Sequence, residues 1–195
     1  MIQPSRTEYN YKEYRTLINE LLERGMTTGT DQSEAKVKYA RLNVSRMNRI
    51  DKTISILPEL QLKMQNLQHD YEWMVITEGW CGDASQSVPV MAAIAACSDR
   101  VKLSILLRDE YPEVMDQYLT GTSRSIPILV MKDLNSGADL CRWGPRPKEL
   151  SELVSEWKQS LDHDSFVEKI HAWYAKDKGF SQQREILELL SSLPA

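Results

Sequence analysis

The sequence predicts an α/β protein, with a central mixed β-sheet flanked by helices and helical additions at both ends. Three observations carry this. From Trp73 to about Pro147, short apolar strands alternate with helical stretches and close on a hairpin. Ahead of them, two amphipathic stripes follow one another with no strand between. Behind them, Asp164–Leu193 reads as two further short helices broken around Gly179. The predicted organisation is a helical N-terminal extension packed on the core (residues 1–70), an α/β core (71–162) and a C-terminal helical extension (163–195).

In the first helix Tyr11, Tyr14, Leu17, Ile18, Leu21 and Leu22 recur at three- and four-residue spacing, and Gly25 supplies the stop. Asp31 stands three residues before Glu34, a capping-box arrangement that predicts the next helix start. Val37, Ala40, Val44, Met47, Ile50, Ile54 and Leu57 then form a stripe as far as Pro58. Proline lacks the amide N–H of a helix interior, so a kink or a fresh start is expected there. Two such stripes need a partner surface, which makes residues 1 to about 70 a helical cap.

The texture changes at Trp73. WMVIT is short, apolar and partly β-branched, and it runs into Glu78-Gly79-Trp80-Cys81-Gly82-Asp83-Ala84. A helix follows from about Ser85 to Cys97, then a strand in VKLSILL with Val101, Leu103 and Ile105 alternating. A short helix near Pro112–Tyr118, the strand IPILVM, the turn DLNSGAD, the strand LCRW and a helix from about Pro147 complete the order.

Composition excludes several classes. Lys+Arg total 24 against 28 Asp+Glu, a net charge of -4, whereas nucleic-acid binders usually carry a basic excess. The longest nearly continuous apolar stretch, Val88–Cys97, is about half of a membrane span. No nucleic-acid or membrane partner is therefore expected. The opening MIQPSRTEYNYKEYR is polar and reads as leaderless. With only three cysteines, a reducing, cytoplasmic setting is expected.

Cys81 sits where a strand hands over to a helix. The unpaired N–H groups and the positive dipole end of a helix start favour thiolate, the nucleophilic form. The bland alternative is a small buried core residue. Cys97 would lie about 24 Å along that helix from Cys81, far beyond the ~7 Å limit for a bridge. Cys141 is on the returning strand. His69, His163 and His171 form no paired ligand spacing with the cysteines and read as surface residues, so no metal or cofactor is expected.

Trp80-Cys81-Gly82-Asp83-Ala84 resembles the W-C-G-P-C active-site motif of the thioredoxin-like superfamily with its last two positions changed. Pro89 falls where that family kinks its active-site helix. Ile126-Pro127 before ILVM resembles the family's cis-proline turn, and Gly144 the glycine before its last helix. The resemblance spans about residues 70–162. It implies a thioredoxin-like fold, Cys81 as the catalytic nucleophile, and a substrate groove of Trp80, Gly82, Asp83, Ser125, Ile126 and Pro127. Ala84 replaces the resolving cysteine, and Val75 stands where many family members carry a buried acid; Glu78 or Asp83 are the candidate proton carriers in its place.

One thiol can still form a mixed disulfide that an external thiol resolves. The expected function is thus thiol–disulfide exchange or redox homeostasis, on a protein or low-molecular-weight thiol or disulfide. The alternative is a non-catalytic binding or adaptor module using the groove beside Cys81 and Pro127. Arg46 and Arg49, on the second helix, are candidates to offset the negative field of Asp83 at Cys81. Arg146, beside Trp143-Gly144-Pro145, is expected to bind an acidic partner or close a local ion pair.

Overall fold

Residues 7–193 are described by a computed structural model; residues 1–6, on which part of the leaderless expectation falls, and 194–195 lie outside the described residues. Helices α1 (Tyr11–Glu23), α2 (Glu34–Thr53) and α3 (Pro58–Gln65) lead into strand β1 (Tyr71–Thr77). Then follow α4 (Gly82–Ala95), β2 (Val101–Leu107), α5 (Pro112–Met115), β3 (Ile128–Asp133) and β4 (Asp139–Trp143). Three helices end the chain: α6 (Lys148–Ser160), α7 (His163–Asp177) and α8 (Phe180–Ser192).

The sheet order is β2-β1-β3-β4. β1 runs parallel to β2 and antiparallel to β3, and β3 pairs antiparallel with β4, so the sheet is mixed. β1 is buried on both faces, which is why WMVIT is apolar throughout rather than alternating. Trp73, Val75 and Ile76 have no exposed surface. At the free edge of β2, Tyr9 exchanges two backbone hydrogen bonds with Ile105 (2.9 and 2.8 Å), which occupies part of an edge otherwise open to strand addition.

α2 lies along α4, and α1 packs on α2 and β2. Tyr14, Ile18, Ala40 and Met47 from these helices share one apolar core with the sheet. α8 packs against α3, α4 and β4, whereas α6 and α7 pair with each other around a second cluster of Leu150, Val154, Trp157, Ile170 and Tyr174.

Three boundaries differ from the sequence expectation. The Asp31 carboxylate accepts from the Ser33 N–H (2.9 Å) in a local turn, and the N-cap is Ser33. The second stripe breaks at Ile54, which is extended, and Pro58 opens a new helix at its first position, where a missing N–H costs nothing. α4 begins at Gly82, three residues earlier than expected, so Cys81 itself is the N-cap residue.

Candidate functional site

The turn between β1 and α4 is held from outside the sheet. Thr28 Oγ1 accepts the Gly79 N–H (2.7 Å), and Asn43 Nδ2 donates to the Gly79 carbonyl (2.9 Å). Both peptide groups of that residue are thereby satisfied in a buried place, one by the α1–α2 loop and one by α2. Nothing in the spacing of Thr28 or Asn43 marks them, because their role depends on where α2 docks.

From this turn Cys81 projects onto the floor of a cavity of about 360 Å³. Its Sγ donates to the Ile126 carbonyl oxygen at 3.3 Å. The Ile126-Pro127 peptide is cis, and so is Gly144-Pro145. Gly144 lies directly against this turn with φ +119°, and a Cβ there would stand 2.3 Å from the Pro127 carbonyl oxygen. Only glycine fits that position.

Trp80, Gly82, Asp83, Ser125 and Ile126 line the cavity with Cys81, while Pro127 is buried behind it. Cys141 faces Met131 (Sγ to Sδ 3.4 Å) and Cys97 the Ala93 carbonyl (3.4 Å); neither lines the cavity, and all three cysteines are free. Among the described residues no group of His, Cys, Asp and Glu side chains is placed to hold a metal ion, and no helix is long and apolar enough to cross a membrane.

At Cys81 the helix start and burial pull in opposite directions. Burial, and after it the Asp83 carboxylate, push its thiol up to about 12. The N–H groups of Ala84 and Asp83 and the nearby Arg146 pull the other way. The helix start does favour thiolate, but removing the sulfur from water outweighs it. The cation that answers Asp83 is Arg146, rather than Arg46 or Arg49. Arg146 Nη2 stands 2.6 Å from Asp83 Oδ2, and its Nε donates to Oδ1 at 2.9 Å. Arg46 instead donates to Asn43 Oδ1 (2.7 Å) and Arg49 to Gln86 Oε1 (3.2 Å).

The C-terminal helices supply what the sequence left unmarked. α7 forms one wall of the cavity, with Phe166, Ile170 and His171. The Tyr174 hydroxyl donates to Asp83 Oδ1 at 3.0 Å, fastening α7 to the start of α4. His171 is half-buried rather than superficial: Nδ1 is 3.2 Å from Gln86 Nε2, and the ring edge is 3.1 Å from where a Gly82 Cβ would be. Burial, followed by Arg46 and Arg49, lowers His171 to about 4, so its ring is neutral near pH 7.

Glu78, at the end of β1, has no exposed surface. Its Oε1 accepts the Asp109 N–H (2.9 Å), and its Oε2 is buried without a partner. Burial raises it to about 7, while the Thr28 hydroxyl and the Asp109 N–H act against the rise.

A family model described as thioredoxin matches residues 29–158, a span that takes in α2 and α3 as well as the sheet. No curated protein matches the sequence. Among solved structures, a Pseudomonas aeruginosa protein of unknown function superposes with a TM-score of 0.61 at 15% identity, covering 94% of this chain and 98% of that one. An HIV epitope scaffold superposes with a TM-score of 0.59 at 14% identity, covering 90% and 98%. At these identities the two superpositions bear on fold alone.

Proposed function

The chain belongs to the thioredoxin family, and on that premise we propose that it works in thiol–disulfide exchange with Cys81 as its single nucleophile. The observation that supports this is the sulfur on the floor of an open cavity, against the Ile126 carbonyl one residue ahead of Pro127. In thioredoxin-like proteins a substrate backbone lies along that turn beside the reacting sulfur. Residues 1–70 and 163–195 are read as extensions that frame this core, and the free cysteines suit a reducing, cytoplasmic setting.

The cycle needs two half-reactions. The Cys81 thiol loses its proton to solvent and the thiolate Sγ attacks one sulfur of a disulfide; the S–S bond breaks, and the departing thiolate takes a proton from solvent. Cys81 is left in a mixed disulfide, and Ala84 offers no internal thiol to open it. An external thiol then attacks the other sulfur, leaves as the new disulfide and returns Cys81 to the thiol. Because burial pushes the resting thiol up, only a small fraction is thiolate at any moment, and attack proceeds from that fraction.

That same burial favours a second reading, a groove that binds without turnover. A chromogenic aromatic disulfide separates the two. Added to folded protein between about pH 6 and 9, it should mark Cys81 ahead of Cys97 and Cys141 by peptide mass spectrometry. The rate should climb through the whole range without a plateau, since the thiol is pushed up to about 12. A Cys81 that reacts only after unfolding refutes exchange and leaves the binding groove.

A further inference from the structure

We propose that the Cys81 cavity selects small disulfides that carry carboxylates, with Lys36 and Arg124 as specificity-determining residues. The inference rests on the exchange function proposed above and adds the chemical class of its substrate.

Four cationic side chains reach the cavity from four separate parts of the chain: Lys36 from α2, Arg108 after β2, Arg124 before β3, and Arg146 after β4. Against them stands one lining carboxylate, Asp83, and it is already engaged by Arg146 and Tyr174. Arg108 is balanced from behind by Asp109 (2.8 Å) and Arg124 by Asp116 (2.7 Å), neither of which lines the cavity. The ammonium of Lys36 has no carboxylate partner among the described residues and rests 3.4 Å from the centre of the Trp80 ring. Arg108 lies over the same ring at 4.8 Å.

These pairings leave donors to spare. Arg124 spends Nε and Nη2 on Asp116, so Nη1 is free for a ligand carboxylate. The ammonium of Lys36, against the Trp80 ring, has no hydrogen-bond acceptor among the described residues. An incoming anion therefore meets charge and hydrogen-bond donors at the rim. A cation meets the same field with no free acceptor carboxylate. Volume sets the size: about 360 Å³ lies at the small-ligand end of ordinary binding pockets. The apolar wall of Phe166 and Ile170 suits the methylene and sulfur atoms of such a ligand.

The covalent step is the one already written: the ligand's S–S bond breaks, Cys81 Sγ binds one half, and the other half leaves as a carboxylate-bearing thiol. The co-reactant that closes the cycle is an external thiol.

The test compares three symmetrical disulfides of similar size: a dicarboxylate (3,3′-dithiodipropionate), a neutral diol (bis-2-hydroxyethyl disulfide) and a diamine (cystamine). Rates of mixed-disulfide formation at Cys81 are read by mass spectrometry and divided by those of a free reference thiol, which removes intrinsic reactivity. The dicarboxylate should exceed the diamine by about tenfold or more at low salt, and the gap should narrow at high salt. Lys36→Gln combined with Arg124→Gln should close most of the gap between the dicarboxylate and the diamine. Equal normalised rates for the three ligands overturn the anion preference and leave exchange standing. A preference untouched by the double substitution overturns the roles of Lys36 and Arg124. A Cys81 that none of the three modifies overturns exchange itself, and the substrate class with it. A glutathione disulfide arm separates a peptide carboxylate source from a simple dicarboxylate: a rate above that of 3,3′-dithiodipropionate favours the peptide, a lower one the simple acid.

Discussion

Glu78 and His171 tilt the pH dependence of stability in opposite directions, and the two slopes can be separated. Glu78 ionises near 4.5 in the unfolded chain and at about 7 in the folded one, because burial opposes its charge. It is neutral in both states below 4.5 and ionised in both above 7. Stability is therefore full below 4.5 and falls as pH rises through about 7. A shift of this size is worth about 3 kcal/mol. His171 behaves oppositely. Its ordinary 6.5 is lowered to about 4 by burial and by Arg46 and Arg49. Its contribution is full above 6.5 and is lost as pH falls through about 4. Allowing for the ring's partial contact with solvent, this is worth about 2 kcal/mol. Between 4.5 and 6.5 the two trends largely cancel in the native protein. Urea unfolding followed by tryptophan fluorescence, at intervals from about pH 4 to 8, should separate them. Glu78→Gln keeps an acceptor for the Asp109 N–H, and its gain over the parent should grow to about 3 kcal/mol by pH 8. His171→Gln should gain instead as pH falls below 6.5. A Glu78→Gln difference that stays constant with pH would refute the claim that a buried charge governs this slope.

Two further outcomes follow from the geometry. Tyr174→Phe removes the hydroxyl that ties α7 to Asp83; a hydrogen bond to a charged group is worth about 1.5–3 kcal/mol, so Cys81 alkylation should accelerate by about tenfold, and an unchanged iodoacetamide rate counts against the tie. Gly144→Ala puts a Cβ 2.3 Å from the Pro127 oxygen at φ +119°; a loss of about 3 kcal/mol should appear as a lower thermal midpoint, and an unaltered melting curve would show that the turn yields freely.

Where the sequence was informative, the signal was local. WMVIT marks a strand buried on both faces, and Trp80-Cys81-Gly82 marks the turn at its end, because strand period and turn chemistry need only neighbours along the chain. The same holds for Gly144, whose place ahead of α6 was visible although its contact with Pro127 was not. The missed features all depend on packing. Asn43 sits in the apolar stripe of α2, and only the docking of that helix on α4 aims its amide at Gly79. His171 sits among charged and aromatic neighbours on a helix that reads as peripheral, yet it forms part of the cavity wall. For Cys81 the local signal held one side of a balance: a helix start favours thiolate, whereas burial, which pushes the thiol up, is a property of the assembled fold. Arg146 was visible as a cation near Gly144, but its partner Asp83 is distant in sequence.

The position of α7 in chain order has a consequence for synthesis. The turn bearing Cys81 leaves the ribosome well before α7, which walls the cavity and reaches Asp83 through Tyr174. Sheet and N-terminal helices can begin to assemble as the chain grows, so the sulfur meets the surrounding solution before its shield exists. In that interval the cavity lacks its α7 wall and Cys81 stands open on that side. Docking of α7 then completes the wall of the cavity and leaves its mouth as the route by which a disulfide reaches Cys81 in the finished molecule.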